Sequence, residues 1–462
     1  MINKRVIPFL LLPFFSISNA QAQIDLIAIG QVSGKYQDMA IKTASLLESG
    51  VAGNMLGGVG SGLAYAGRNT FLALPDRGPN ATPYNSVVDD TTSFIPRFQT
   101  FSLSLAKNPN YDPSTVGSLP HILSPFLTGT TLLSSKTRLA YGLNGAPSLN
   151  KKEKFYFSGR SDNFDATQSS TNPQNGRLDP EGIRLSNDGK SVFITDEYGP
   201  YVYQFDRNSG KRLKVFTLPV YYAATKPAAA EAIEIPNNKV GRISNKGMEA
   251  LAITPNGKTL VGMMQQNLAQ DKKKFLRIIT IDIVTGGTHE YVYQLSKGSS
   301  VSDILAINDH EFLVDERDGA GLGDGSLAVV KKLYKIDLTG ATDISGVAAL
   351  SDANLSGITL VQKQEFLDVV ANLNLHGITA DHVPAKLEGV AFGPDMVINA
   401  VNKHTLFIAN DNDFLPTVDD INNPNQFFVF SIDESDLSSF SAQKITHSTH
   451  DVGEEDGQGG KH

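Results

Sequence analysis

The chain of 462 residues contains no cysteine. That removes disulfides, thiolate nucleophiles and thiolate metal sites together, and it suits a compartment where stray thiols would be oxidised. Any metal must then be held by oxygen or imidazole. Long apolar runs are also missing: past residue 22 no segment is apolar over the roughly 20 residues that cross a bilayer. Positive charge is in deficit, with 40 Lys and Arg against 48 Asp and Glu, a formal charge of −8. Nucleic acid and anionic membrane surfaces are poor partners for such a chain.

The N-terminus has the three parts of a secretory leader: Lys4 and Arg5, an apolar run from Val6 to about Phe15, and Ala20-Gln21-Ala22 as a small-residue cleavage site. An apolar run of about ten residues is too short for an anchor. Residues 1–22 therefore read as a signal peptide cleaved after Ala22. The mature chain is expected to be exported, to the periplasm or beyond, at a charge of about −10 once Lys4 and Arg5 are gone.

Five stretches of the remainder can be laid over one another. They begin at Gly58 (GVGSGLAYAGRNTFLALPDRGPN), Leu178 (LDPEGIRLSNDGKSVFITDEYGP), Asn245 (NKGMEALAITPNGKTLVGMMQQN), Ser299 (SSVSDILAINDHEFLVDERDGAG) and Ala385 (AKLEGVAFGPD), the last resuming at Asn402 (NKHTLFIANDNDF). Each has a polar or acidic residue, an alternating apolar strand, a turn, a second alternating strand and a polar cluster. Asn187-Asp188-Gly189, Pro255-Asn256-Gly257 and Asn308-Asp309-His310 supply the turn chemistry of tight hairpins. A lone hairpin is marginal in water, so the units must pack on one another, as propeller blades or as a stacked sandwich.

We read the chain as all-β, a single propeller over residues 23–440. The spacings are 120 from Ser61 to Glu181, 68 to Glu249, 54 to Asp303 and 85 to Glu388. The first leaves room for two units, which predicts six blades, with seven possible, longer than the roughly 40–50 residues of compact repeats. Short helical insertions are expected at 222–233 and at 364–374, and an exposed loop at 161–177. Residues 427–433 read as a last strand, 24–29 as a first strand that pairs with it and closes the ring, and 441–462 as a disordered polar tail.

In a hairpin, the residue before the first strand and the residue after the second meet at one end. This brings Glu181 near Asp196 and Glu197, Glu249 near Gln265, Asp303 near Glu316, and Glu388 near Asp411 and Asp413, with Asp76 in the first copy. Oxygen donors gathered on one face suggest a hard cation, calcium first. Glu181, Asp196, Glu249, Glu388, Asp411 and Asp413 are the candidate ligands, and Glu181, Glu249, Glu316 and Glu388 the candidate catalytic acids. Arg77, Lys246, Arg317 and Lys386 are interleaved with them, and a mixed-sign ring suits a phosphate ester. The plainer alternatives are turn caps facing water and structural ion pairs. Gly58–Gly62 lacks the register of a nucleophile elbow, Gly319–Gly325 fits no dinucleotide fingerprint, Asp411-Asn412-Asp413 lacks the rest of an EF-hand, and the nine His form no HExxH pair.

Asp179-Pro180-Glu181-Gly182 with Asp196-Glu197-Tyr198-Gly199, Gly247-Met248-Glu249-Ala250, Glu316-Arg317-Asp318-Gly319, Leu387-Glu388-Gly389 and Asn410–Phe414 resemble the bacterial phytase-like domain family, described by an esterase-like activity of phytase. The resemblance runs from about Ile29 to Ile432. It implies an exported propeller whose acidic residues carry phosphoester hydrolysis on a small molecule, acting as a monomer. The RHGxRxP motif of histidine-acid phytases is absent, so such action would be metal-assisted. Gln265 and Ser61 stand where other units place acids. Two readings compete with the hydrolase. One is a lactonase of the gluconolactonase type, for which Glu181-Gly182 and Glu388-Gly389 would start the metal site. The other is a non-catalytic propeller binding a ligand or protein, for which Tyr198, Tyr201 and Phe414 would begin an aromatic face.

Overall fold

The computed structural model describes residues 24–446 except 81, 82 and 144. The leader and the tail from 447 lie outside the described residues. Twenty-one strands build five antiparallel sheets, four of them four-stranded and the fifth with Met396–Ile398 as an added strand. Blade 1 is Gly62–Tyr65, Thr70–Leu74, Arg97–Lys107 and His121–Leu132. Blade 2 is Pro180–Leu185, Ser191–Asp196, Tyr201–Asp206 and Arg212–Thr217. Blade 3 is Met248–Ile253, Thr259–Met264, Phe275–Asp282 and Thr288–Gln294. Blade 4 is Ser300–Ala306, Glu311–Arg317, Lys331–Asp337 and Gln362–Asp368. Blade 5 runs outward from Lys386–Phe392 through Val401–Asp411 and Asn425–Asp433 to the chain's first strand, Ile24–Val32. The expected pairing of the first and last strands is present, from Ile24 opposite Ile432 to Val32 opposite Asn425.

The propeller is confirmed, but it has five blades where six or seven were expected. The long interval before Glu181 holds one blade with unusually long outer strands of 11 and 12 residues, followed by a meander. Within that meander Ser134–Ser135 and Phe155–Tyr156 pair, two residues each, beside isolated bridges such as Ala140 to Asn175 and Ser158 to Arg177. In the Ala-rich insertion residues 223–230 form a loop instead of a helix, between a 3-10 turn at Val220–Tyr222 and a helix at Glu231–Asn237. At 364–374 the strand continues to Asp368 before a helix, Val369–Leu375, begins. The 161–177 segment is a loop, yet Ser161, Asn163, Ser170 and Arg177 are buried in it.

The first strand of each blade is innermost, and each touches the inner strands of both neighbours, which closes the ring. Five apolar clusters fill the five gaps between blades. Leu72 and Phe98 of blade 1 meet Ile194 and Phe205 of blade 2, for example. Because both faces of the blades are covered, the inner strands of blades 2 and 3 are buried along their whole length, and those of the other blades at all but one residue. They also lie very close together. A Cβ on Gly182 would come within 2.9 Å of Leu251 N, and one on Gly389 within 2.9 Å of Leu63 N. The Glu-Gly dipeptide is thus a packing requirement of the ring as well as a placement of charge.

Halfway down the channel Arg184 meets Asp303, with Nη2 2.9 Å from both carboxylate oxygens. The same guanidinium donates to the carbonyls of Leu63, Ile183 and Ile304, and Val390 N donates to Asp303 at 2.9 Å. Four of the five blades are tied by this one pair. Below it, residues 437–446 cross the far end of the channel, where Phe440 packs on Phe392 and Gln443 bonds to Leu185 O at 2.8 Å. One end of the ring is therefore closed. Removing one partner of a buried pair strands the other's charge, so Arg184→Met should lower stability by about 3–5 kcal/mol in guanidinium denaturation. Arg184→Met combined with Asp303→Leu should recover much of that loss.

Candidate functional site

At the open end the site is made by a repeated backbone irregularity. The inner strand of blades 2 to 5 bulges against its partner, between Pro180 and Ile183, Met248 and Ala250, Val301 and Asp303, and Leu387 and Gly389. A bulge re-aims one side chain. The bulged positions are Glu181, Glu249, Ser302 and Glu388, and Ser61 precedes the inner strand of blade 1. A second ring stands at or just past the ends of the second strands: Asp76, Glu197, Gln265, Arg317 and Asp411. Except for the serines, all of these line one cavity of about 280 Å³, together with Arg77, Asn80, Asn245, Lys246 and Lys386.

Eight of the sequence-predicted site residues are thereby brought together: Glu181, Glu249, Glu388, Asp411, Arg77, Lys246, Arg317 and Lys386. Three are not. Side chains alternate along a strand, and Glu316 and Asp196 each fall one residue short of the ring position and face away. Glu316 accepts from Tyr293 Oη at 2.6 Å and pairs with Lys363. Asp196 accepts the amides of Asp179 and Tyr198 at 3.2 and 3.1 Å. Asp413 lies outside the cavity, against Lys386. Asp303, expected beside Glu181, Glu249 and Glu388, is displaced by the bulge that puts Ser302 in that register. It sits instead on Arg184. Of the expected aromatic face, Tyr201 and Phe414 are buried, Phe414 packing edge-on against Phe94.

The alignment of repeats missed Asp179, although it opens the Asp-Pro-Glu-Gly run. Carboxylate oxygens of Asp179, Glu181 and Glu197 lie within 4.8 Å of one another. Asp179 also accepts Arg77 Nη1 at 2.8 Å, and Glu197 accepts the amide of Gly247 at 3.0 Å. The other cations are distributed unevenly. Arg317 pairs with Glu388, and Lys386 pairs with Asp411 at 2.9 Å and with Asp413. Lys246 makes no ion pair among the described residues. Glu249 Oε2, Gln265 Oε1 and Asn80 Oδ1 are buried without a hydrogen-bond partner.

These carboxylates are held against their own chemistry. Burial, then Glu249, Asp179 and Glu197, pushes Glu181 well above the usual range. Burial and the Asp411 charge do the same to Asp76. Burial, then Glu197 and Glu388, raises Glu249. Glu197 is pushed up to about 7 by burial and Asp179, and Asp411 to about 6 by burial against the pull of Lys386. A bound cation would relieve this repulsion. The donor set fits a hard one: it is oxygen only, three carboxylates converge, and further acceptors stand unpartnered.

Outside the cavity, burial drives Asp196 and Asp315 up to about 7, with the charges of Asp179 and Asp303 pushing the same way. An unfolded Asp titrates near 3.9. Between about pH 4 and 7 the folded chain therefore binds more protons than the unfolded one, and stability falls as pH rises through that window. In chelator, the melting temperature should be higher at pH 5 than at pH 8. A rise in the same direction of pH would contradict these shifts.

The family profile described as phytase-like, esterase-like activity of phytase, matches residues 54–414. An uncharacterized secreted protein of Arthroderma benhamiae is 30% identical over 300 residues, 52% of this chain and 58% of that protein. The match thus spans less than two thirds of the relative's length. Among solved structures, the hydrazine synthase of Kuenenia stuttgartiensis is 10% identical, over 77% of this chain and 78% of that one, at a TM-score of 0.29. A candidate 6-phosphogluconolactonase of Bacteroides uniformis is 11% identical, over 80% and 88%, at 0.31. Both scores are low, and neither likeness bears on activity. With its match covering most of the chain, this protein belongs to the phytase-like family.

Proposed function

We propose that the chain is an exported, calcium-dependent hydrolase of phosphoric esters. The observation that supports this best is the buried cavity of converging carboxylates with Arg77, Lys246, Arg317 and Lys386 among them. Membership of a family described by esterase-like activity supports the reaction class, and the leader and the secreted relative support export.

Asp179, Glu181 and Glu197 would hold the calcium. When bound, the ion supplies positive charge against the phosphoryl oxygens and makes a water easier to deprotonate. The remaining roles fall to the chain. Lys246 contacts the phosphoryl group, and Arg77 and Arg317, which line the same cavity, add positive charge. Burial and the neighbouring Asp411 push the Asp76 carboxyl well above its usual range, the direction a group needs if it is to give a proton to the leaving alcohol. Glu388 anchors Arg317 and fixes that guanidinium. Glu316 has no place in this scheme, because it faces Lys363.

A single metal held by three carboxylates also suits a lactonase, which has no use for the four cations. The purified mature protein should carry calcium, and chelator should abolish release of p-nitrophenol from p-nitrophenyl phosphate. Glu181→Gln should lower calcium affinity and turnover by about 10–100-fold, as does disturbing a metal's ligand surroundings. Turnover indifferent to chelator would rule out the metal role, and turnover of lactones alone would favour the second reading.

A further inference from the structure

The insertion between blades 2 and 3 builds a buried ion network beside the cavity. Arg242 Nη1 and Nη2 donate to Glu234 Oε1 and Oε2 at 2.6 and 3.4 Å, and Arg177 stands 4.0 Å from the same carboxylate. The three residues are only 1–2% exposed. One carboxylate therefore answers two enclosed guanidinium groups, and Arg177 Nε and Nη2 have no hydrogen-bond partner. Apolar side chains of similar volume would cost less to bury than this set, so stability is a weak reason for it.

The network is directed at Tyr198. Arg242 Nε donates to the Tyr198 carbonyl at 2.8 Å, and Arg177 lies over the Tyr198 ring, 4.9 Å from its centre. Tyr198 Oη donates to Gly159 O at 2.9 Å. Carbonyl, ring and hydroxyl are all held. The residue before Tyr198 is Glu197, whose carboxylate lies within 4.8 Å of those of Asp179 and Glu181. Like charges so close push one another apart. Glu197 stands at the start of the turn that leaves blade 2, and a swing of that turn would relieve the repulsion and open the cluster. Arg242 opposes the swing, although neither it nor Glu234 lines the cavity.

Resting on the calcium reading of that cavity, we propose that Arg242, fixed by Glu234, is a positioning residue for Glu197. It pins the Tyr198 carbonyl so that the third carboxylate stays in the cation site. It touches neither ion nor substrate, and it sets how tightly the ion is held.

The test measures calcium affinity by titration calorimetry, melting temperature in chelator, and the calcium needed for half-maximal turnover. The chains compared are the unaltered protein, Arg242→Met, Arg242→Lys and Arg184→Met. Arg242→Met leaves Glu234 paired with Arg177, and should bind calcium about tenfold more weakly, as loss of a group that orients a ligand does. Half-maximal turnover should need correspondingly more calcium, with kcat at saturating calcium unchanged. Arg242→Lys keeps the charge but not the planar fork, should fall between, and carries the measurement should the Met variant not fold. Arg184→Met, remote from the cluster, should lose stability with calcium affinity intact. Folded Arg242 variants that bind calcium like the unaltered chain would overturn the proposal and leave the calcium reading standing. Equal weakening in Arg184→Met would reduce the effect to stability and overturn it too. An unaltered chain that binds no calcium would remove the calcium reading itself, and the proposal with it.

Discussion

The pair of Arg184 and Asp303 is the constraint around which the molecule is arranged. A five-bladed ring has a narrow channel, and its inner strands leave backbone carbonyls facing one another across it. One guanidinium satisfies carbonyls from three blades and a carboxylate at once, and the carboxylate takes an amide from another blade. The desolvation cost of two buried charges is offset only when every hydrogen bond is made, as it nearly is here. With the channel stopped at its middle, and its lower end crossed by residues 437–446, the upper end becomes a blind cavity.

The chemistry of that cavity follows from the backbone above the stopper. Each bulge turns one residue of an inner strand toward the axis, and the residue after the partner strand joins it. Blades 2 to 5 repeat the bulge at one level and blade 1 adds Asp76, so eight of the ten positions line a small volume. Six of them are filled by acids, which would repel one another without intervening cations. Arg77, Arg317 and Lys386 answer part of that repulsion. The rest appears as carboxyl groups held well above their ordinary range, a repulsion that a bound cation would relieve.

Much of this was legible in the residues. Glu181-Gly182 and Glu388-Gly389 stood out because two demands coincide there, a carboxylate at the bulge and no Cβ at the point of closest approach. The meeting of the first and last strands could be read from alternation alone. Blade number could not, because pattern does not separate an extra blade from long outer strands and a meander, and the interval before Glu181 held the latter. A bulge leaves no mark in period-two alternation, so Asp303 was placed at the mouth when Ser302 belongs there. The same one-residue uncertainty put Glu316 in the ring beside Arg317 and Asp196 beside Glu197. Arg184 gave no signal at all, since a single arginine in a strand reads as a surface residue until the ring is closed around it.

The central claim is that the two rings of the open end converge on a cation held by blade 2. Crystals grown with calcium replaced by terbium, an anomalous scatterer of similar ligand preference, test it most directly. The account predicts one strong anomalous peak between Asp179, Glu181 and Glu197, absent in Glu181→Gln. A fully occupied peak elsewhere on the surface, with none in the cavity, would contradict it.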